Sequence, residues 1–140
     1  EKNSFVSFID KLLEHIELYP DAKFYHYFSY EISSLRRSAQ NFGVYKKELE
    51  QLIEKKCFVD LFTIVNSSLL IGASSYSLKT VEKLAGINRT EDLQSGMESI
   101  QYFEDYFFNE EYELKDLIIE YNKADCKNLY LLHDWLASLL

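Results

Sequence analysis

At 140 residues, with 47% hydrophobic and 16% aromatic side chains, the chain is long enough to bury a core and too apolar for a disordered tail. Its net charge of −8 argues against a free-standing electrostatic nucleic-acid binder, which would show a basic face. Cys57 and Cys126 form no CxxC motif, and the three histidines, His15, His26 and His133, have no zinc-ligand spacing. Both facts exclude a structural zinc site and fit a reducing, cytoplasmic setting. The most apolar stretch, Val59 to Ala73, is broken by Asp60, Asn66, Ser67 and Ser68, too short and too polar to span a membrane.

Four glycines and one proline leave few helix breakers, so the pattern is mostly helical. Asn3 or Ser4 can cap a first helix running to about Tyr19, with Phe5, Phe8, Ile9, Leu12, Leu13 and Ile16 at helical spacing. Pro20-Asp21 ends it. Lys23 to Tyr27 is short and aromatic and predicts a strand. A helix over Glu31 to Asn41 stops at Gly43, and Val44 to Lys56 forms another. Cys57 to Val65 predicts a short extended start at Phe58–Val59, then a helix for which Asp60 is a candidate cap. A short helix opens at Ser75–Leu78, capped by Ser77, and ends at Gly86. Asn88 to Ser95 is a polar loop, Met97 to Phe108 a helix, and an acidic turn follows. Leu114 to Asp125 and Cys126 to Leu140 form one long helix or two closely joined ones. The whole chain is expected to form a single domain, residues 1–140. With one clear strand and no obvious partner, the missing neighbours are expected before residue 1 or from another chain, which leaves 23–27 as an open edge for self-association.

Near the C-terminal end, Tyr121-Asn122-Lys123-Ala124-Asp125-Cys126 puts a phenol and a carboxylate four residues apart, on one helix face. The same spacing recurs in Tyr112/Asp116 and Tyr130/Asp134, so it singles out nothing by itself. On residue type alone, Asp125 reads as a solvated helix acid, Tyr121 as an edge-of-core aromatic and Glu31 as a first-turn acid favoured by the helix dipole. His26 reads as a packed strand residue, and Cys126 as a buried thiol with no base spaced to activate it. Arg36-Arg37, Lys46-Lys47 and Lys55-Lys56 read as solvated helix faces.

The order of segments gives Tyr121 and Asp125 their weight. Tyr25-His26-Tyr27-Phe28-Ser29-Tyr30-Glu31 comes first, then Phe58-Val59-Asp60-Leu61, Ser75-Tyr76-Ser77-Leu78-Lys79, Ser95-Gly96 with Tyr102 and Tyr106, and finally Tyr121-x3-Asp125. Over residues 23 to 138 this series resembles the RNase H-like 3′–5′ exonucleases, the DEDD nucleases. It looks most like the RNase H-like domain of predicted RecB-family nucleases. The resemblance implies an α/β RNase H-like fold, truncated and predominantly helical here, with one or two short strands. It implies a two-metal Mg²⁺ or Mn²⁺ site acting on DNA or RNA ends, with Glu31 and Asp125 as metal ligands and Tyr121 orienting the attacking water. A phenol of ordinary acidity is neutral at pH 7, so positioning suits Tyr121 better than proton abstraction.

The sequence departs from that pattern in three places. His26 stands where the family has Asn, and Glu31 where it has Asp. The family's first motif, Asp-x-Glu on a strand, has no match and is expected before Glu1. The fragment alone is therefore expected to be inactive. The alternative reading is a non-catalytic helical interaction domain derived from the nuclease scaffold.

Overall fold

A computed structural model describes residues 1–88, 96–108 and 114–139. The chain forms two compact units, residues 1–76 and 77–140.

In the first unit, α1 (Lys2–Leu18) turns Phe5, Ile9 and Leu12 inward, at the i, i+4, i+7 spacing of one face. Glu1 stands at the cap position without a side-chain hydrogen bond, so neither Asn3 nor Ser4 caps this helix. Strand β1 (Phe24–His26) is followed by α2 (Tyr30–Phe42) and α3 (Lys46–Glu54). Gly43 ends α2 in the left-handed conformation (φ 70°), as its position predicts, and its N–H bonds to the Ala39 carbonyl. The helix expected over 44–56 is shorter at both ends, because Tyr45 and Lys56 take positive φ (57° and 55°). Positive φ at non-glycine residues breaks the helical hydrogen-bond run.

Strand β2 (Phe58–Asp60) pairs with β1 in parallel, with Phe24 opposite Phe58, Tyr25 opposite Val59 and His26 opposite Asp60. This corrects the expectation that β1 finds no partner inside the chain. The extended start at Phe58–Val59 is that partner, and α2 and α3 form the crossover that a parallel pair requires. Three-residue strands carry too little alternation to announce a pairing, which is why the partner was missed. The Phe24 and Phe58 rings meet at a 45° tilt with centroids 5.5 Å apart, and the His15 ring of α1 lies 6.0 Å from Phe24, so this aromatic face has partners within the unit.

The core of the unit gathers Phe5, Ile9, Leu12, Ala39, Leu49, Leu52 and Cys57 from α1, α2, α3 and the approach to β2. Each large side chain buried there contributes roughly 1.5–3 kcal/mol. Helix α4 (Leu61–Ser68) follows β2 directly, capped by Asp60, with Leu61 and Val65 buried.

In the second unit, α5 (Leu78–Leu84) starts at Ser77, whose hydroxyl accepts a hydrogen bond from the Thr80 N–H, as its position predicts. Gly86 takes φ 72° just beyond it. Helix α6 (Gly96–Phe108) and helix α7 (Leu114–Ser138) follow. The two segments expected over 114–140 form one continuous helix of 25 residues. Both α5 and α6 pack on α7. The polar loop from residue 89 onward and the acidic turn after Phe108 lie outside the described residues. Among the described residues no helix is long and apolar enough to cross a membrane.

Candidate functional site

The carboxyl ends of β1 and β2 bring several polar groups of the first unit together. His26 is the last residue of β1 and stands opposite Asp60, the last of β2. The chain leaves β1 through Tyr27, Phe28 and Ser29 and enters α2 at Tyr30, so Glu31 falls in the first helical turn. A carboxylate there is favoured by the helix dipole. No side chain caps α2, since Ser29 makes no capping hydrogen bond through its hydroxyl.

Other groups hold the turn. Asp60 Oδ1 accepts from the Phe28 N–H at 2.8 Å and from the Phe62 N–H at 3.0 Å, while Oδ2 accepts from the Thr63 hydroxyl at 2.8 Å. Phe28 adopts φ 78°, a left-handed conformation that a bulky residue takes only under constraint. Its ring meets Phe62 edge-to-face at 4.6 Å. The Tyr27 hydroxyl donates to the Tyr76 carbonyl, which ties the same turn to the end of the unit.

His26 is buried, with its Nδ1 2.7 Å from the Phe28 carbonyl. A carbonyl only accepts, so Nδ1 carries the proton in that bond. Glu31 Oε2 lies 3.9 Å from the same nitrogen, too far for a hydrogen bond but close enough to feel its partial charge. Glu31 is half exposed and makes no hydrogen bond among the described residues.

In the second unit, Tyr121, Asp125, Asn128 and Leu132 run along one face of α7 at i, i+4, i+7 and i+11. Tyr121, Asn128 and Leu132 are buried, and Asp125 is half-buried. The structure thus puts Tyr121 and Asp125 on one helix face, as their spacing predicts, and puts Glu31 in the other unit. Cys126 is exposed rather than buried, because it falls on the opposite side of α7 from Tyr121 and Asn128. Partial desolvation, and then the Asp125 charge, hold its thiol above the ordinary value, so it is a weak nucleophile.

Two buried polar residues escaped the sequence reading. Glu82 on α5 is fully buried (1% exposed), and Asn128 lies beneath the surface of α7. Asn128 was within reach of the spacing argument, three residues beyond Asp125 on the same stripe. Nothing in the pattern around Glu82 marks it as inward-facing. The sequence also showed Asp60 as a helix cap, but not its second arm to Phe28, 32 residues away. Away from these groups, a cavity of about 360 Å³ between α2 and α3 is lined by Arg36, Lys46 and Glu50 among others. Its Arg36 is already held by two 2.7 Å hydrogen bonds to Glu50.

A family model described as the RNase H superfamily matches residues 1–137. The chain belongs to the RNase H superfamily. No curated protein and no solved structure matches it. The superfamily match spans Glu31, Asp60, Tyr121 and Asp125, and with it both units.

Carboxylate oxygens are the donors that Mg²⁺ and Mn²⁺ take, so Glu31 and Asp125 have the right chemistry for such ions. The Asp60 oxygens already accept three hydrogen bonds from backbone and hydroxyl donors. Among the described residues no group of three or more His, Cys, Asp or Glu side chains is arranged to hold a metal. Each of Glu31 and Asp125 alone is therefore a single donor of the right type, not a metal site.

Proposed function

We propose that this RNase H superfamily domain contributes to metal-dependent hydrolysis of nucleic-acid phosphodiesters, as a 3′–5′ exonuclease of the tyrosine subclass akin to those of predicted RecB-family nucleases. The superfamily match over residues 1–137 carries the reading. The Tyr121–Asp125 pair on one face of α7 supports it, because the tyrosine subclass pairs these residue types at this spacing.

In this proposal Glu31 and Asp125 are ligands for Mg²⁺ or Mn²⁺, each needing further oxygen donors to complete the coordination. When bound, the metals would supply Lewis-acid stabilisation of charge on the phosphate and on the attacking and leaving oxygens. Tyr121, held in the α7 face, would orient the attacking water through its hydroxyl. Glu31 makes no hydrogen bond among the described residues and approaches only His26 Nδ1, at 3.9 Å, so a cation would compete with that approach alone. The substrate would be a DNA or RNA end. The outer edge of β1, which has no strand neighbour among the described residues, would be the place for two copies to associate. Two free cysteines suit a cytoplasmic setting.

The test is hydrolysis of 3′-labelled single strands by the full-length protein with Mg²⁺ or Mn²⁺, compared with its Asp125→Ala variant. Metal-dependent release of the 3′ label, lost in the variant, is the expected result. Equal release by both proteins removes Asp125 from the site.

The net charge of −8 favours a second reading, a non-catalytic interaction domain on a nuclease scaffold. It predicts no metal-dependent release of label by the unsubstituted protein.

A further inference from the structure

We propose that Asp60 is a positioning residue for Glu31, acting through the β1–α2 turn rather than by touching metal or substrate. The inference rests on the reading of Glu31 as a metal ligand. It adds a residue that sequence marks only as the cap of another helix.

Three observations converge on this role. The first is that α2 lacks a side-chain N-cap, so none of its free N-terminal amides is held by a capping side chain, although the Ser33 hydroxyl donates to the Ser29 carbonyl within its first turn. The second is the left-handed Phe28 at φ 78°. A non-glycine residue holds that conformation at a cost of order 1–3 kcal/mol and persists there only when its surroundings impose it. The third is the Asp60 carboxylate, which receives the Phe28 N–H at 2.8 Å while its other bonds anchor it to the start of α4. With the Phe28 amide fixed by Asp60, its carbonyl is placed to receive His26 Nδ1–H, and the same nitrogen faces Glu31 at 3.9 Å. The chain of contacts runs from Asp60 to Phe28, from Phe28 to His26, and from His26 to Glu31.

One carboxylate does two jobs. Its bonds to the Phe62 N–H (through Oδ1) and the Thr63 hydroxyl (through Oδ2) cap α4, while the bond from Oδ1 to the Phe28 N–H sets the turn. Serine caps a helix about as well as aspartate, but its hydroxyl is on a shorter side chain. Asp60→Ser therefore keeps the first job and gives up the second. Asp60→Asn keeps a carbonyl oxygen that can accept from both amides and serves as the conservative rescue. Thr63→Val cuts only into the capping arm.

The experiment measures Mn²⁺ binding to the full-length protein by titration calorimetry, without nucleic acid, together with amide hydrogen exchange at Phe28. Groups that hold a ligand in place typically change metal affinity 10–100-fold when removed. Asp60→Ser is expected to weaken Mn²⁺ binding about tenfold and to speed Phe28 exchange about tenfold. Asp60→Asn and Thr63→Val should stay within about twofold of the unsubstituted protein on both readouts. If Glu31→Ala weakens Mn²⁺ binding and Asp60→Ser does not, the positioning role is overturned and the ligand reading stands. Equal losses in Asp60→Ser and Thr63→Val overturn it too, because the effect is then general destabilisation of α4. Unchanged binding in Glu31→Ala overturns the ligand reading, and the positioning role falls with it.

Discussion

Glu31 and Asp125, the two acids proposed for metal binding, reach their places by different routes. Asp125 needs only the periodicity of α7, a continuous helix whose one face carries Tyr121, Asp125, Asn128 and Leu132. Glu31 needs a parallel strand pair, a left-handed Phe28 and a carboxylate 32 residues away in sequence from that phenylalanine. One half is local and the other is assembled by tertiary contacts. The local half should tolerate damage elsewhere in the chain, and the assembled half should not.

The largest effects should come from the acids themselves. Asp125→Ala should lower hydrolysis by the full-length protein by about 10³-fold, because a ligand to a catalytic metal supports several kcal/mol of charge stabilisation. Tyr121→Phe, which removes only the hydroxyl, should cost roughly 10²-fold, the lower range for groups that handle protons or orient water. Steady-state rates with a 3′-labelled strand measure both. A Tyr121→Phe loss as deep as that of Asp125→Ala would make the phenol more than an orienting group.

Core truncations come next and compare the units directly. Leu49 in α3 and Leu132 in α7 are both fully buried. Leu49→Ala and Leu132→Ala should each cost about 2–5 kcal/mol by urea unfolding. Amide exchange should then show the Phe28 turn loosening in Leu49→Ala, whose site belongs to the cluster under the strand pair, more than in Leu132→Ala. Equal loosening in both would erase the contrast between a local and an assembled half.

A smaller effect is expected at the start of α5. Ser77→Ala removes the acceptor for the Thr80 N–H and should cost about 1 kcal/mol, read as a shift of the urea midpoint at constant slope.

What could be read from the chain follows the same division. The helices of both units were visible because Phe5, Ile9 and Leu12, or Leu49 and Leu52, repeat with the helical period, and Ser77 and Gly43 carry their own capping chemistry. The Tyr121–Asp125 face was visible for the same reason. The β1–β2 pairing was not, since a parallel pair of three-residue strands joined through two helices leaves no local mark. The turn before Glu31 was hidden by the residue that makes it. Phe28 has no preference for positive φ, and its contacts with Asp60, Phe62 and His26 account for it. Superfamily membership, by contrast, rested on the order of segments along the chain, which survives even where single motifs depart from the pattern.

The smallest expected effect lies on the exposed surface of the first unit, and its sign is fixed by geometry. The Arg36 guanidinium, held by two hydrogen bonds to Glu50, keeps the Glu50 carboxyl below its ordinary range, and Glu50 in turn raises Arg36. A carboxyl depressed in the folded state releases its proton more readily there than in the unfolded chain. Its contribution is therefore complete above the ordinary carboxylate range and disappears as pH falls through the lowered folded value. Both partners are about half exposed, so water and salt screen most of the attraction. Glu50→Gln should leave the thermal midpoint slightly lower at pH 7, and equal to that of the unsubstituted protein once the medium is acid enough to protonate Glu50 in both states. The difference at pH 7 should also shrink in 1 M salt. A gap that persists in acid would mean that Glu50 stabilises α3 by its packing along the Arg36 stem rather than by its charge.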